Sequence, residues 1–332
     1  MLEIRDLTVT IGRHTIVDIE HLAVEAGTRL GIVGESGSGK TMTAMSIVGL
    51  LPNDAVVRGS IRFEGRELVG LTDGQMAEVR GREIGVVFQD PAKALNPMMR
   101  IGRQVAEAVK LHMDLSKDEV RRRVVDLLTQ VRLPDAESLL RRYPHQLSGG
   151  QQQRVLIAIA IACDPTLLIA DEPTTALDVT VQNGILSLLR DLSVSRNMGL
   201  LFVSHDLGVI QTISERIAVV YGGHLVELGP TADVIGDPRH RYTQALVDAN
   251  PGIAENERLG EVVNQRLDVI RGSVPALGKF PSGCRFRGRC TSEIDACADP
   301  PGISMASQEH IFKCWNPTQG ATERGGVADV TR

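Results

Sequence analysis

A glycine-rich segment near the start of the chain has the residue types and spacing of a phosphate-binding P-loop. Gly34 is followed after four residues by Gly39, Lys40 and Thr41. Glycines let backbone N–H groups approach phosphate oxygens, and a helix that follows points its positive dipole end at the same place. We expect Lys40 to reach the β- and γ-phosphates and Thr41 to bind magnesium. The predicted nucleotide contacts of this segment are Gly34, Ser36, Gly37, Ser38, Gly39, Lys40, Thr41 and Thr43.

Two adjacent carboxylates, Asp171 and Glu172, follow an apolar run at 167–170 that is typical of a buried strand. Ligands bind beyond the carboxyl ends of strands in open α/β sheets. We therefore predict that Asp171 holds magnesium, directly or through water. Glu172 is predicted to polarise the attacking water or accept its proton. Adjacent acids after a strand are common, so the pair is informative only in combination with the P-loop.

The elements that must position these residues alternate between strands and helices. Apolar runs and period-two alternation predict strands at 2–9, 16–24, 29–33, 84–88, 167–170 and 200–203. Helical patterns are found after the P-loop as far as residue 51 and at 101–142, 151–162 and 181–194. Residues 56–90 are predicted to form short strands with glycine turns. This order predicts an α/β fold, with a parallel sheet that carries helices on its faces.

A second anion-binding motif, LSGGQ at 147–151, stands just ahead of a predicted helix. On this motif the chain closely resembles the ABC ATPase family. The resemblance implies an ABC cassette with a mixed sheet core, an antiparallel β subdomain and a helical subdomain at about 91–160. It also implies that Ser148 and Gly150 contact the γ-phosphate of ATP held on the opposite subunit. The predicted contacts of the motif are Ser148, Gly149, Gly150 and Gln151.

Three further polar residues occur in the order found in that family. The resemblance implies that Gln89 senses magnesium and the transporter interface, that Asp178 in the run 176–178 communicates across a dimer, and that His205 contacts the γ-phosphate. The predicted catalytic residues are thus Lys40, Gln89, Glu172 and His205. The predicted magnesium ligands are Thr41, Gln89 and Asp171.

The adenine site departs from the family pattern, which usually supplies a stacking aromatic ring from the N-terminal strands. No Phe, Tyr or Trp precedes Phe63. Ile11, Arg13 and His14 are the candidates to cover the base, and Ile11 is the residue that we assign.

Composition limits the compartment and the partners. The 332 residues carry 36 Lys and Arg against 41 Asp and Glu, and the formal charge of −5 does not indicate a nucleic-acid partner. The first residues lack the apolar region of a secretory signal, and the longest apolar run, at 155–163, is about half the length needed to cross a bilayer. We expect a peripheral protein at the cytoplasmic face of the cell membrane, attached through partner proteins.

The chain changes character near residue 236, where segments that contain Pro and Gly begin to interrupt regular structure. We predict a nucleotide-binding domain at 1–235 and a C-terminal extension at 236–332. One glycine loop and no internal repeat are present, so a second cassette must come from another chain.

Four of the five cysteines fall within the last fifty residues, separated by five, six and sixteen residues. They can supply a complete four-thiolate metal site. Zinc sites usually begin with two cysteines that are closer together in the sequence, so the spacing weakly favours an iron–sulfur cluster. Metal-free thiols are the other alternative. The cysteines are Cys284, Cys290, Cys297 and Cys314. The arginines between the first two are expected to favour thiolates or to form a solvated basic face: Arg285, Arg287 and Arg289.

Two segments, HRYTQAL at 240–246 and GCRFRGRC at 283–290, look like the C-terminal extension of oligopeptide and dipeptide importer ATPases. Residues 34–38 and 88–97 are similar to the same subfamily, which commonly has Pro where this chain has Arg241. Some members carry a four-iron cluster in the extension, so the resemblance implies a [4Fe-4S] cluster on the four cysteines, with zinc as the alternative metal.

The resemblance implies an ATP- and magnesium-dependent subunit that energises import of di- and oligopeptides. Its expected partners are a second cassette protein in a heterodimer, two membrane permeases and an extracytoplasmic peptide-binding protein. A cassette for nickel or another small solute is the alternative within transport. A soluble ABC ATPase of DNA repair or translation would predict a long coiled-coil insertion or two cassettes in one chain, and neither pattern is present.

Overall fold

The computed structural model describes residues 1–175, 177–250 and 269–318, which are built around one large β-sheet. The strands are β1 (Leu2–Ile11), β2 (His14–Val24), β3 (Arg29–Val33), β4 (Ala55–Phe63), β5 (Arg66–Glu67), β6 (Ile84–Val87), β7 (Leu167–Asp171), β8 (Gly199–Ser204), β9 (Arg216–Tyr221), β10 (His224–Pro230), β11 (Ser304–Met305) and β12 (Ile311–Phe312). The main path across the sheet runs β5-β4-β1-β2-β10-β9-β3-β8-β7-β6.

The sheet is mixed. Strands β9, β3, β8, β7 and β6 are neighbours paired in parallel, whereas β2, β1, β4 and β5 pair antiparallel. The parallel pairing predicted from the alternation of strands and helices is therefore found in one half of the sheet. That half contains β3, the strand that leads into the P-loop. The other half is antiparallel because its strands follow one another through short connections, such as the two-residue turn at 12–13 between β1 and β2.

Both faces of the parallel half are covered, as the apolar strand sequences require. Along β7, Leu168 and Ala170 pack into one hydrophobic core, whereas Leu167 and Ile169 pack into the other. The first core also takes in most of the helices, and the second takes in the antiparallel strands and α1. Alternate side chains of one strand thus hold two layers on opposite sides of the sheet.

The helices that cover these faces are α1 (Lys40–Ile47), α2 (Asp73–Val79), α3 (Pro91–Ala94), α4 (Ile101–His112), α5 (Lys117–Gln130), α6 (Ala136–Leu139), α7 (Gly149–Ala160), α8 (Val179–Ser195), α9 (Leu207–Ile213), α10 (Thr231–Gly236) and α11 (Arg241–Asp248). Short 3-10 turns occur at Pro144–Gln146 and Asp295–Ala298. Among the described residues, none of the helices is both long enough and apolar enough to span a bilayer.

The region at 56–90 differs from its prediction as short strands. It contains a helix, α2, between β5 and β6. Thr72 caps this helix by accepting from the Gln75 N–H at 3.4 Å, and Gln75 accepts from the Thr72 N–H at 2.9 Å. A Thr-x-x-Gln capping box was therefore the local signal for the helix, and the surrounding glycines obscured it.

The described part of the C-terminal segment, residues 236–250 and 269–318, packs on the cassette. Its strand β12 adds to the sheet beside β10. Tyr242 of α11 is fully buried, and Phe286 is 3% exposed. These two rings contact Tyr221 at the end of β9, with centroids 4.6 Å and 5.2 Å away. An aromatic cluster therefore joins the segment to the sheet close to the P-loop strand.

Candidate functional site

The P-loop lies between β3 and α1 and follows a path that requires glycine. Gly39 has a φ of 96° and stands immediately before α1. A Cβ atom at this position would lie 2.8 Å from the carbonyl oxygen of Ile16. At Gly34 a Cβ atom would collide with the carbonyl oxygen of Val220. The neighbouring strands thus approach the loop so closely that only glycine fits at these two positions. The loop ends at the N-terminus of α1.

The cationic group of the loop is held inside it. Lys40 is 5% exposed, and its Nζ donates to the carbonyl oxygens of Gly34 at 2.8 Å and Glu35 at 3.0 Å. Burial lowers the pKa of Lys40, an effect opposed by the nearby carboxylates. The Ser38 hydroxyl is also buried and has no hydrogen-bond partner among the described residues. An ammonium and an unpartnered hydroxyl at a helix N-terminus fit the oxygens of a nucleotide phosphate.

Thr41 and Asp171 meet although they come from opposite ends of the cassette sequence. The Thr41 hydroxyl donates to Oδ1 of Asp171 over 3.1 Å. Burial raises the pKa of Asp171, and the neighbouring Glu172 adds to this effect. A hydroxyl and a carboxylate beside a phosphate site are oxygen ligands of the kind that Mg²⁺ prefers, so the pair fits a magnesium ion.

Glu172 is the centre of a second polar group. Its Oε2 accepts from Gln89 Nε2 at 2.9 Å and from the Thr175 hydroxyl at 3.0 Å, and its Oε1 lies 3.2 Å from His205 Nδ1. The residue has a φ of 46°, in the left-handed region that side chains other than Gly rarely adopt. Its N–H donates to the Val203 carbonyl at 2.9 Å, which ties this backbone conformation to β8.

The LSGGQ motif begins helix α7. Ser148 accepts from the Gln151 N–H at 3.4 Å, and Gln151 accepts from the Ser148 N–H at 3.0 Å, which closes a capping box. A Cβ atom at Gly150 would lie 2.5 Å from Cγ1 of Val181 in α8. Asp178 caps α8 by accepting from the Val181 N–H at 2.9 Å. Val181 thus lies next to Gly150 of the motif and is also hydrogen-bonded to Asp178. Ala176 lies outside the described residues.

The other predicted contacts take different positions. Ser36 and Gly37 are exposed at the tip of the P-loop. The Thr43 hydroxyl is fully buried and donates to the Gly39 carbonyl at 3.0 Å, so it is used within the protein. Ile11 ends β1 opposite His14 at the tip of the first hairpin.

The described structure does not support the metal-binding function predicted for the four cysteines. Within residues 1–175, 177–250 and 269–318, no group of three or more His, Cys, Asp or Glu side chains is arranged to hold a metal ion. The thiols are nevertheless neighbours. Burial, together with the proximity of Cys297 and Cys314, raises the pKa of Cys284 to about 11. The Cys290 sulfur accepts from the Ser292 N–H at 3.4 Å.

The three arginines near Cys284 and Cys290 follow the sequence prediction only in part. Each has a partner elsewhere: Arg285 donates to the Gly222 carbonyl, Arg287 pairs with Glu293 at 2.8 Å, and Arg289 pairs with Glu35 at 2.7 Å. Arg285 and Arg289 are therefore neither a solvated basic face nor direct partners of the thiols, whereas Arg287 also interacts electrostatically with Cys297. Arg241 from α11 acts instead on Cys290 and Cys314, where it opposes the rise in pKa that burial causes.

Glu35, Tyr242 and Arg289 form a contact with the P-loop that sequence reasoning missed. The Glu35 N–H donates to the Tyr242 hydroxyl at 2.7 Å, and the Glu35 carboxylate accepts two hydrogen bonds from Arg289. The available signal was a carboxylate inside an anion-binding loop, which requires a neutralising partner. Its partner could not be identified, because it lies at the far end of the chain.

Sheet, P-loop and LSGGQ helix together define an ATPase cassette of the ABC class. Residues 18–175 match the family model described as ABC transporter, and residues 226–297 match the model described as the C-terminal region of oligopeptide/dipeptide transporters. A putative peptide import ATP-binding protein of Brucella abortus is 42% identical over 95% of this chain and 94% of its own length. The oligopeptide transport ATP-binding protein OppD of Salmonella typhimurium is 40% identical over 96% and 94%.

The chain belongs to the family of ABC transporter ATP-binding proteins, in the group with the oligopeptide/dipeptide-type C-terminal region. Solved structures agree with this assignment. The dimeric ATP-binding cassette MJ0796 bound to ADP and Pi is 28% identical, with a TM-score of 0.63 over 70% of this chain and 99% of that one. CbiO1 of Clostridium perfringens, part of the cbiONQ transporter complex, is 25% identical, with a TM-score of 0.63 over 78% and 95%. The predicted fold class is thereby confirmed.

Proposed function

We propose that this chain is the ATP-hydrolysing subunit of an importer for di- and oligopeptides. The observation that carries the proposal is the presence in one chain of an assembled ATP site and a C-terminal segment of the peptide-transporter type. The relatives named for peptide import and oligopeptide transport align with it over nearly their whole length, which supports the same cargo class.

In this function the P-loop binds ATP, and Glu172 with the residues bonded to it positions and activates the attacking water. Lys40 would turn from the loop carbonyls to the β- and γ-phosphates, and Thr41, Asp171 and Gln89 would hold magnesium. Held there, magnesium would neutralise charge that develops on the phosphates. Glu172 orients the attacking water and takes its proton, and His205 contacts the γ-phosphate from its place beside Glu172. Ile11 covers the adenine.

The site is complete only in a dimer of cassettes. Ser148 and Gly150 stand at the N-terminus of α7 and are offered to ATP on the opposite subunit, while Asp178 carries the signal between sites. The solved MJ0796 cassette is dimeric with ADP and Pi bound, which supports this arrangement. We assign residues 1–235 to the nucleotide-binding domain, with its helical part at about 91–160, and 236–332 to the extension.

The proposal includes the partners of a complete importer. These are a second, different cassette protein, two permeases that hold the cassettes at the cytoplasmic face of the cell membrane, and an extracytoplasmic peptide-binding protein. Closure of the cassette dimer on ATP drives the permeases, and phosphate release reopens it.

We further propose that the four cysteines hold a [4Fe-4S] cluster. The proposal rests on the resemblance of residues 283–290 to the extension of peptide-importer ATPases and on the proximity of Cys284 to Cys297 and Cys314. A [4Fe-4S] cluster would be held by one thiolate from each of the four cysteines, and a zinc ion would be held by the same four thiolates. The backbone N–H groups that point at Cys284 and Cys314 are suited to anionic sulfur.

The test is ATP hydrolysis by the complex purified from membranes with its permeases. Binding protein loaded with di- to pentapeptides should stimulate turnover. Stimulation by nickel and not by peptides would retain the cassette mechanism and overturn the cargo class. If no permease copurifies with the chain, the transport role itself is wrong.

A further inference from the structure

Glu35 uses all three of its polar groups to hold the P-loop. Its carbonyl accepts from Lys40 Nζ at 3.0 Å, its N–H donates to the Tyr242 hydroxyl at 2.7 Å, and its carboxylate accepts from Arg289 at 2.7 Å and 3.0 Å. Two of these three groups are bound by the C-terminal segment. The residue next to Gly34 is therefore positioned by residues that lie outside the nucleotide-binding part of the sequence.

Arg289 is a rigid partner for this contact. Its guanidinium makes five hydrogen bonds, two to Glu35, one to the Tyr221 hydroxyl and two to the carbonyl oxygens of Arg271 and Gly272. The side chain is 7% exposed and lies over the rings of Tyr221 and Phe286, with centroids 5.7 Å and 5.9 Å away. Because every N–H donor of the planar guanidinium is used, the side chain cannot rotate without losing several hydrogen bonds.

The C-terminal segment also supports the other end of the P-loop. Arg285 donates to the carbonyl of Gly222, in the turn between β9 and β10. The next residue, Gly223, donates its N–H to the Ser38 carbonyl at 2.9 Å. The loop is thus held at Glu35 directly and at Ser38 through the turn.

The negative charge of Glu35 connects its ion pair with Arg289 to nucleotide binding. A carboxylate beside a phosphate site repels the phosphates unless a cation neutralises it. Glu35 is near enough to Lys40 to oppose the lowering of the lysine pKa that burial causes. The bidentate ion pair with Arg289 cancels that negative charge at the mouth of the loop.

We propose that Arg289 is a positioning residue for ATP binding, which neutralises Glu35 and, together with Tyr242, holds the P-loop open for phosphate. The proposal rests on the ATP site itself and is independent of the transported cargo. It assigns to the C-terminal segment a role in nucleotide affinity.

The experiment measures the dissociation constant for MgATP with the full-length chain and kcat at saturating ATP with the permease complex. Arg289→Gln should weaken MgATP binding about tenfold, the loss expected for a charge-assisted contact, and change kcat by less than about threefold. Arg287→Gln is the matched control, since Arg287 stands in the same loop and its ion pair is with Glu293 rather than with Glu35. It should leave binding unchanged.

The decisive variant is Arg289→Gln combined with Glu35→Gln, which removes the carboxylate left unpaired. MgATP binding should then recover to within about threefold of the parent chain, because the repulsion is gone. Tyr242→Phe, which keeps the buried ring, should weaken binding by a smaller factor. Unchanged binding in Arg289→Gln overturns the proposal. Failure of the double variant to recover, with both chains folded by circular dichroism, overturns it too. If Arg289→Gln does not fold, Arg289→Lys serves in its place.

Discussion

Nδ1 of His205 lies 3.2 Å from Oε1 of Glu172, whose other oxygen accepts from Gln89. Three strand ends are needed to build this group, because Gln89 follows β6, Glu172 follows β7 and His205 follows β8. The positive φ of Glu172 turns its side chain at the point where β7 ends. The polar group around Glu172 is thus assembled by the parallel half of the sheet.

Glu172→Gln should retain ATP binding and slow hydrolysis by roughly 10²- to 10⁴-fold, the range for loss of a general base. The amide can still accept from Gln89 through its oxygen, so the fold around it is preserved. The measurement is single-turnover hydrolysis beside equilibrium binding of MgATP. Turnover equal to that of the parent chain would remove Glu172 from the catalytic role.

Ser148→Ala should reduce ATP turnover of the assembled transporter about 10²-fold, the loss typical of a donor aimed at developing charge. It should also cost about 1 kcal/mol of folding free energy, since Ser148 caps α7. Ser116→Ala is the matched control, because Ser116 caps α5 with the same capping box. Equal turnover in the two variants would show that Ser148 is only a helix cap.

Protein purified without oxygen should be brown and contain iron bound to the C-terminal cysteines. Cys297→Ser should abolish the colour and the iron, because one of the four ligands is lost. Cys163→Ser should leave both intact, since Cys163 is buried in the helical core. A colourless parent protein with stoichiometric zinc contradicts the cluster assignment.

Stability should fall as the pH is lowered from 7 to 5, in part because of two buried histidines. Burial lowers the pKa of His240 to about 3 and, with help from nearby cations, that of His224 to about 4. In this window the unfolded chain binds protons that the folded chain does not, so each histidine contributes roughly 2 kcal/mol of loss. The measurement is the urea midpoint at both pH values.

His240→Asn isolates the first of these contributions. The Asn side chain can still accept from the Tyr242 N–H, which His240 Nδ1 accepts at 3.0 Å. The difference between the two midpoints should shrink in this variant and stay the same in His145→Asn, where the histidine is exposed. An undiminished difference in His240→Asn would show that its burial does not drive the pH dependence.

Local sequence alone determined the parts of the site that are contiguous. The P-loop at 34–41, the strand that leads into Asp171 and Glu172, and a helix start at LSGGQ were all predicted, because glycine spacing and short apolar runs encode a strand, a turn and a helix start. Helix α7 begins at Gly149, two residues before its predicted start. Strand β3 was predicted with its observed bounds, Arg29–Val33. The mixed sheet came only from family resemblance, since strand alternation does not specify which neighbours pair.

Contacts between distant segments were decided only by the tertiary structure. Nothing in the local pattern pairs Glu35 with Arg289, which the sequence analysis placed beside the thiols or on a solvated basic face. The error has a physical cause, because a guanidinium pairs with whichever carboxylate the fold brings within reach, not with its nearest neighbours in sequence. Local patterns thus identify the ATP site, whereas packing of the C-terminal segment decides what holds its P-loop.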